Sequence, residues 1–233
     1  MAQLYPLSRR DFLKASGLTA VSMALAACTP AQINVEAPVA NADEALQRLL
    51  EGNQRFAANK SIDLNESQSR RVETAKGQNP FATIFSCVDS RVPPELIFDR
   101  GLGDLFVIRT AGQVIDHAVL GSLEFGVAEL KIPLLMVLGH EKCGAVKATV
   151  EAVENNATAE AEINWLVDGI RPAVEVAKSW PGDLLDNAVK ANVALTVEHL
   201  KRSSILSEAL EKGVLKIVGA RYDLDTGIVE VAA

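Results

Sequence analysis

The chain has 233 residues, is 48% hydrophobic and 23% charged, and carries a net charge of −7. That size and balance suit one globular domain with a substantial core. The acidic balance and an aromatic content of 5% exclude a basic nucleic-acid footprint and base-stacking platforms, so no nucleic-acid partner is expected.

Residues 1–27 read as an export signal rather than as fold. Arg9-Arg10 precede Asp11-Phe12-Leu13-Lys14 and a mildly apolar run from Ala15 to Ala27, the pattern of a twin-arginine signal. The run is too short to remain as a membrane-spanning helix. It ends in Leu25-Ala26-Ala27-Cys28, which resembles a bacterial lipobox with Cys28 as the lipidated residue. The expected location is periplasmic or cell-surface, with membrane anchoring through Cys28. A removed signal beside a chance cysteine is the alternative. Residues 28–41 read as a flexible tether.

A helix is expected from Asn41, with Ala45, Leu46, Leu49, Leu50 and Phe56 as its apolar stripe. Residues 65–76 read as a second, polar helix. Phe81–Ser86 is a short apolar run expected to form a strand that delivers Cys87. Asp104–Arg109 is a second such strand, and Ile132–Leu138 a third that delivers Gly139-His140. Helical patterns cover 116–130, 143–154, 160–178 and 184–211. Val214–Gly219 and Ile228–Ala232 close the series, the last after an Asp225-Thr226-Gly227 turn. Near-continuous apolar strands alternating with helices predict an α/β fold over 42–233. A mostly parallel central sheet is flanked by helices, with an N-terminal helical arm. Ligands of such sheets bind beyond the carboxyl ends of the strands.

Two clusters fall at those ends: Cys87-Val88-Asp89-Ser90-Arg91 and His140-Glu141-Lys142-Cys143. Two thiolates and an imidazole form a natural tetrahedral Zn²⁺ set with a fourth position for water or a carboxylate. Such a metal makes hydroxide available near neutral pH. Asp89 either closes that position or pairs with Arg91, which keeps the carboxylate ionised and free to orient the nucleophile. Asp89 as a turn cap beside an interface salt bridge of Arg91 is the alternative. For an exported chain a Cys87–Cys143 disulfide is also open, although a folded protein exported by the twin-arginine route can carry its metal with it.

These paired motifs, with Gly144-Ala145 following Cys143, resemble the β-class carbonic anhydrases of plant-like type over about residues 42–225. Gly103–Gly112 resembles that family's second strand and following loop. The resemblance implies Zn²⁺ as cofactor, with Cys87, His140 and Cys143 as its ligands. Asp89 and Arg91 form the catalytic pair, Asp89 being the fourth ligand in closed members. CO₂ and bicarbonate are the implied substrates, and a homodimer or higher homo-oligomer the implied assembly, around which the N-terminal helix could wrap. By the same likeness Gln78, Phe106 and Gly144 belong to the substrate pocket. Phe125 stands where the plant-like subgroup has Tyr, so a hydroxyl is missing. Ile84 and Ser86 stand where the bicarbonate-regulated subgroup carries Trp and Gly, so its second, inhibitory site is not expected. The competing readings are a hydrolase of COS or CS₂ on the same fold and a non-catalytic zinc- or anion-binding lipoprotein. Among the remaining residues, His117 is read as a cap-region residue, and His199, Glu141 and Lys142 as solvated or rim groups. Trp165 and Trp180 are read as packing or interface residues.

Overall fold

The computed structural model describes residues 37–232. The twin-arginine signal, Cys28 and most of the tether lie outside the described residues. A five-stranded sheet is built from β1 (Ala82–Cys87), β2 (Leu105–Thr110), β3 (Leu134–His140), β4 (Lys216–Tyr222) and β5 (Val229–Val231). Its order is β2-β1-β3-β4-β5. The first four strands pair in parallel, and β5 runs antiparallel to β4. The α/β expectation holds.

Helices cover both faces. They are α1 (Ala42–Ala57), α2 (Gln68–Thr74), α3 (Pro94–Ile97), α4 (His117–Ala128), α5 (Gly144–Glu154), α6 (Ile163–Ala177), α7 (Leu184–Leu200) and α8 (Ser204–Glu211). One face packs Ala82, Ile84, Leu134, Met136 and Leu138 against Ala45 and Leu49 of α1 and Ile97 of α3. The other packs Phe85, Leu135 and Val137 against α4, α7 and α8. A third cluster joins Cys87 and Cys143 to α5, α6 and α7.

Several differences from expectation have physical causes. The apolar stripe of α1 lies on the chain's own sheet, with Ala45 and Leu49 fully buried, so it is not spare for a partner. Buried Asn53 fixes α1 further, donating to Gly227 O at 2.8 Å and accepting from Val229 N at 2.8 Å. The run 184–211 is two helices, because Ser203 caps α8 through a 3.3 Å bond from Leu206 N. Pro94, at the first turn of α3, starts a helix that no periodicity signals. Strands β1 and β3 are buried throughout, whereas β2 is only half-buried along its length because it is an edge.

β1 is the switch point of the sheet: the chain leaves it first for β2 on one side, then returns on its other side as β3. Connections diverging from one strand open a crevice at its carboxyl end. Cys87 is the last residue of β1, His140 is the last of β3, and Cys143 caps α5.

Candidate metal centre

The sulfurs of Cys87 and Cys143 and a ring nitrogen of His140 all lie within 4.8 Å of one another. All three residues are buried. The sulfurs are 3.9 Å apart, a hydrogen-bonding distance and far beyond the roughly 2 Å of a disulfide. The thiols are free. His140 Nδ1 lies 2.8 Å from Glu141 O. A carbonyl only accepts, so that contact fixes the proton on Nδ1 and leaves the Nε2 lone pair bare. Nε2 is buried with no hydrogen-bond partner. A buried, orphaned nitrogen aimed between two thiols is what a soft-to-borderline divalent cation satisfies, so these residues fit Zn²⁺.

The thiols are electrostatically prepared. The bond from Cys143 is the largest influence on Cys87 and pulls its pKa down to about 4. Burial opposes this, while His140 and the Gly112 amide assist. Cys143 is pushed well above an ordinary thiol, first by that same bond and then by burial. The two thiols thus share a proton between them, which a cation would displace.

Asp89 sits at the edge of this cluster, its Oδ2 3.8 Å from His140 Nε2. Arg91 grips it in a fork: Nε donates to Oδ1 at 2.9 Å and Nη2 to Oδ2 at 2.7 Å. Arg91 N also donates to Oδ1 at 3.0 Å, so Asp89 caps the turn and pairs at once. The fork is the main reason its pKa falls to about 2. Asp89 is 16% exposed by side chain and Arg91 51%.

Three supports of this cluster were not among the expected site residues. Arg109, on β2, donates from Nε to Cys87 O at 2.8 Å and from Nη2 to Asp89 O at 2.7 Å, tying down the loop that carries both. Glu141 is not the solvated group its sequence context suggests. Its carboxylate accepts from Arg221 at 2.7 Å and from Leu224 N at 3.2 Å, and its own N donates to Tyr222 O at 3.0 Å. Glu141 is thereby fixed on every side while its carbonyl orients His140. Buried Asn192 and Gln113 brace the turn after β2. Arg109, a lone charge at the end of the apolar run Leu105–Ile108, is a local hint, but nothing local marks the other contacts, which link residues 25 to 83 positions apart.

The expected pocket residues are placed differently. Gly144 opens α5, exposed, and a Cβ there would meet nothing within 4 Å, so packing does not require glycine. Phe106 pairs in register with Thr83, four residues before Cys87 on β1, and so lies about 13 Å back along the strand. Its ring packs on Gly126 of α4. Phe125 is 48% exposed beside it, and Gln78 is exposed before β1. Within one chain these three do not join the Cys87 cluster. Trp165 is 60% exposed, which removes the packing reading for it and leaves the interface one.

A family model for carbonic anhydrase matches residues 82–229. The chain belongs to the β-class carbonic anhydrase family. It is 44% identical over 191 residues to carbonic anhydrase 2 of Mycobacterium tuberculosis, covering 82% of this chain and 92% of that protein. It is 40% identical over 195 residues to a carbonic anhydrase of Mycolicibacterium smegmatis, covering 83% and 95%. Among solved structures, the β-carbonic anhydrase CcaA superposes with a TM-score of 0.65 at 28% identity, covering 81% of this chain and 95% of that one. A tetrameric β-carbonic anhydrase of Sordaria macrospora has the same fold, with a TM-score of 0.65 at 20% identity over 81% and 96% of the two chains. A model of the twin-arginine signal sequence matches residues 6–26. Among the described residues, no helix is long and apolar enough to cross a membrane.

Proposed function

We propose that this β-carbonic anhydrase interconverts carbon dioxide and bicarbonate at a Zn²⁺ held by Cys87, His140 and Cys143, outside the cytoplasm. The observation that carries this reading is the bare Nε2 of His140 between two buried thiols, with an ionised carboxylate at their edge. When bound, the metal supplies Lewis acidity that makes water nucleophilic near neutral pH.

The protein does the rest. Asp89 stays ionised through the physiological range because Arg91 holds it, so it accepts a hydrogen bond from the nucleophilic water and fixes its orientation. Arg91 also keeps that carboxylate occupied and away from the open position, which favours a resting state ready for substrate. Arg109 holds the Cys87–Asp89 backbone so that ligand and orienting group keep a fixed relation. Burial of the three ligands excludes competing water.

The apolar wall for CO₂ comes from a second copy of the chain. The free edge of β2 is suited to antiparallel pairing with its own copy. Such pairing sets the amino half of the partner's strand, which carries Phe106, beside Thr110 at the carboxyl end of this one. It brings the partner's exposed Gln78 and Phe125 towards the same end. This explains why pocket residues lie far from the cluster within one protomer, and it accords with the tetrameric Sordaria relative. Phe125 leaves that wall without a hydroxyl. For the leader we adopt twin-arginine export of residues 1–27, with Cys28 lipidated, residues 28–41 as tether and the domain from 42 onward.

Stopped-flow CO₂ hydration on the mature protein, with zinc quantified in the same sample, tests the reading. One zinc per chain with fast hydration is expected. Zinc-replete protein without hydration would leave a binding protein, and turnover of COS or CS₂ alone would change the substrate.

A further inference from the structure

We infer that Asn192, on α7, is a positioning residue for the metal centre: it holds the turn after β2 so that the Gly112 amide donates a hydrogen bond to the sulfur of Cys87. The inference rests on the assignment of Cys87 as a metal ligand.

The turn is unusual. Gly112 and Gln113 both have positive φ, 62° and 54°. The left-handed region is costly for glutamine, and such conformations persist only where the surroundings over-determine them. Here two buried amides do so. Asn192 Nδ2 donates to Gly112 O at 2.7 Å. Gln113 Nε2 donates to Leu138 O at 2.6 Å, two residues before His140. Gly112 suits the turn, since its φ is one that other residues rarely adopt and a Cβ would also crowd Ile170 Cδ1 at 2.5 Å and Ala145 Cβ at 3.1 Å. What this buttressing delivers is Gly112 N, 3.4 Å from Cys87 Sγ.

The position of α7 permits the contact. Gly139 lets the helix approach the sheet, because a Cβ there would lie 2.5 Å from Val193. The neighbouring Asn192 then reaches the turn from behind. A hydrogen bond to a metal-bound thiolate withdraws electron density from the sulfur, so the thiolate donates less to the metal and leaves it more acidic. Asn192 thereby acts on the metal's electronics by fixing the backbone of Gly112, without touching substrate.

A structural role alone would make Asn192 equivalent to Asn187, which lies on the same helix. Asn187 is also buried, and donates to Pro181 O at 3.1 Å, away from the metal ligands. The test uses mature protein loaded with Co²⁺ and follows the sulfur-to-cobalt charge-transfer absorption. Asn192→Asp keeps the shape but sets a carboxylate against the Gly112 carbonyl, which drives the turn to rearrange. Asn192→Ala opens into a cavity of about 280 Å³ that Asn192 already lines, and it serves should the Asp variant not fold. Either substitution is expected to move the band to lower energy and to reduce kcat about 10- to 100-fold, as second-shell losses do. Asn187→Ala should lower thermal stability and leave the band in place. An unmoved band in the Asn192 variants, or an equal shift in Asn187→Ala, overturns the inference while leaving the metal assignment intact. A wild-type protein with no sulfur-to-cobalt band removes both.

Discussion

The ligand cluster and the Asp89–Arg91 pair adjoin one another yet are held in opposite ways. Cys87, His140 and Cys143 are buried, stand at the ends of strands or a helix, and are backed by groups from β2, β4 and α7. Asp89 and Arg91 lie on a loop two residues apart, and half of the Arg91 side chain is exposed to solvent. A metal site needs ligands that cannot relax apart, whereas a group that orients or gates a reactant needs a second position to move to. The sheet supplies the first property and the loop the second.

The sharpest way to break this contrast is to remove a ligand. In Cys87→Ser a hydroxyl replaces the thiolate, a poor ligand for Zn²⁺. Zinc should fall to background, and CO₂ hydration with it. Full metal content by elemental analysis would take Cys87 out of the cluster. Asp89→Ala should behave differently. Zinc should stay at one per chain, while the hydration rate drops on the order of 100-fold or more, the scale of a lost proton-handling group. If this variant loses its metal, Asp89 belongs with the cage and not with the loop.

A milder change probes the backing of the cage. Arg221 reaches Glu141 at 2.7 Å and Asp186 at 2.6 Å. Arg221→Met keeps the apolar stem and removes the clamp on the residue whose carbonyl orients His140. Metal affinity measured by chelator competition should weaken about 10-fold, at the low end for second-shell partners. An unchanged affinity would mean that the backbone bond from Glu141 N to Tyr222 O suffices.

What the sequence disclosed follows the same division. The parallel strands were legible because a strand buried on both faces is apolar along nearly all its length, as Phe81–Ser86, with only Thr83 and Ser86 polar, and Ile132–Leu138 are. The candidate ligands were legible because two short motifs bring together Cys, His and Cys, donor types that suit a metal. The edge character of β2 was not, since Leu105–Thr110 has the composition of a central strand and its exposure is set by what lies beside it. The break between α7 and α8 was hidden because apolar residues resume directly after four polar ones, with Leu200 and Leu206 both buried. Glu141 with Arg221, and Asn192 with Gly112, join residues 80 apart in the chain, and a lone Glu or Asn carries no local sign of its partner. Tertiary contact alone reveals those partners.

The smallest expected effect concerns acid. Arg91 holds the Asp89 carboxyl at about 2, against the partial burial that works the other way. The unfolded chain releases Asp89 to an ordinary value of about 3.9. The folded state therefore binds this proton less readily than the unfolded state does. The stability the pair contributes is fully present above about pH 4 to 5 and is lost as pH falls towards 2. Because Arg91 is half-exposed, solvent and salt screen the pair and keep that contribution small. Urea unfolding of metal-loaded wild type and Asp89→Asn should show a small gap that is constant from roughly pH 8 to 5 and narrows below about pH 4. Metal release in acid is common to both proteins and cancels in the comparison. A gap that instead closes between about pH 7 and 6 would place the titrating group elsewhere, and would show that the loop is held by something other than the Arg91 fork.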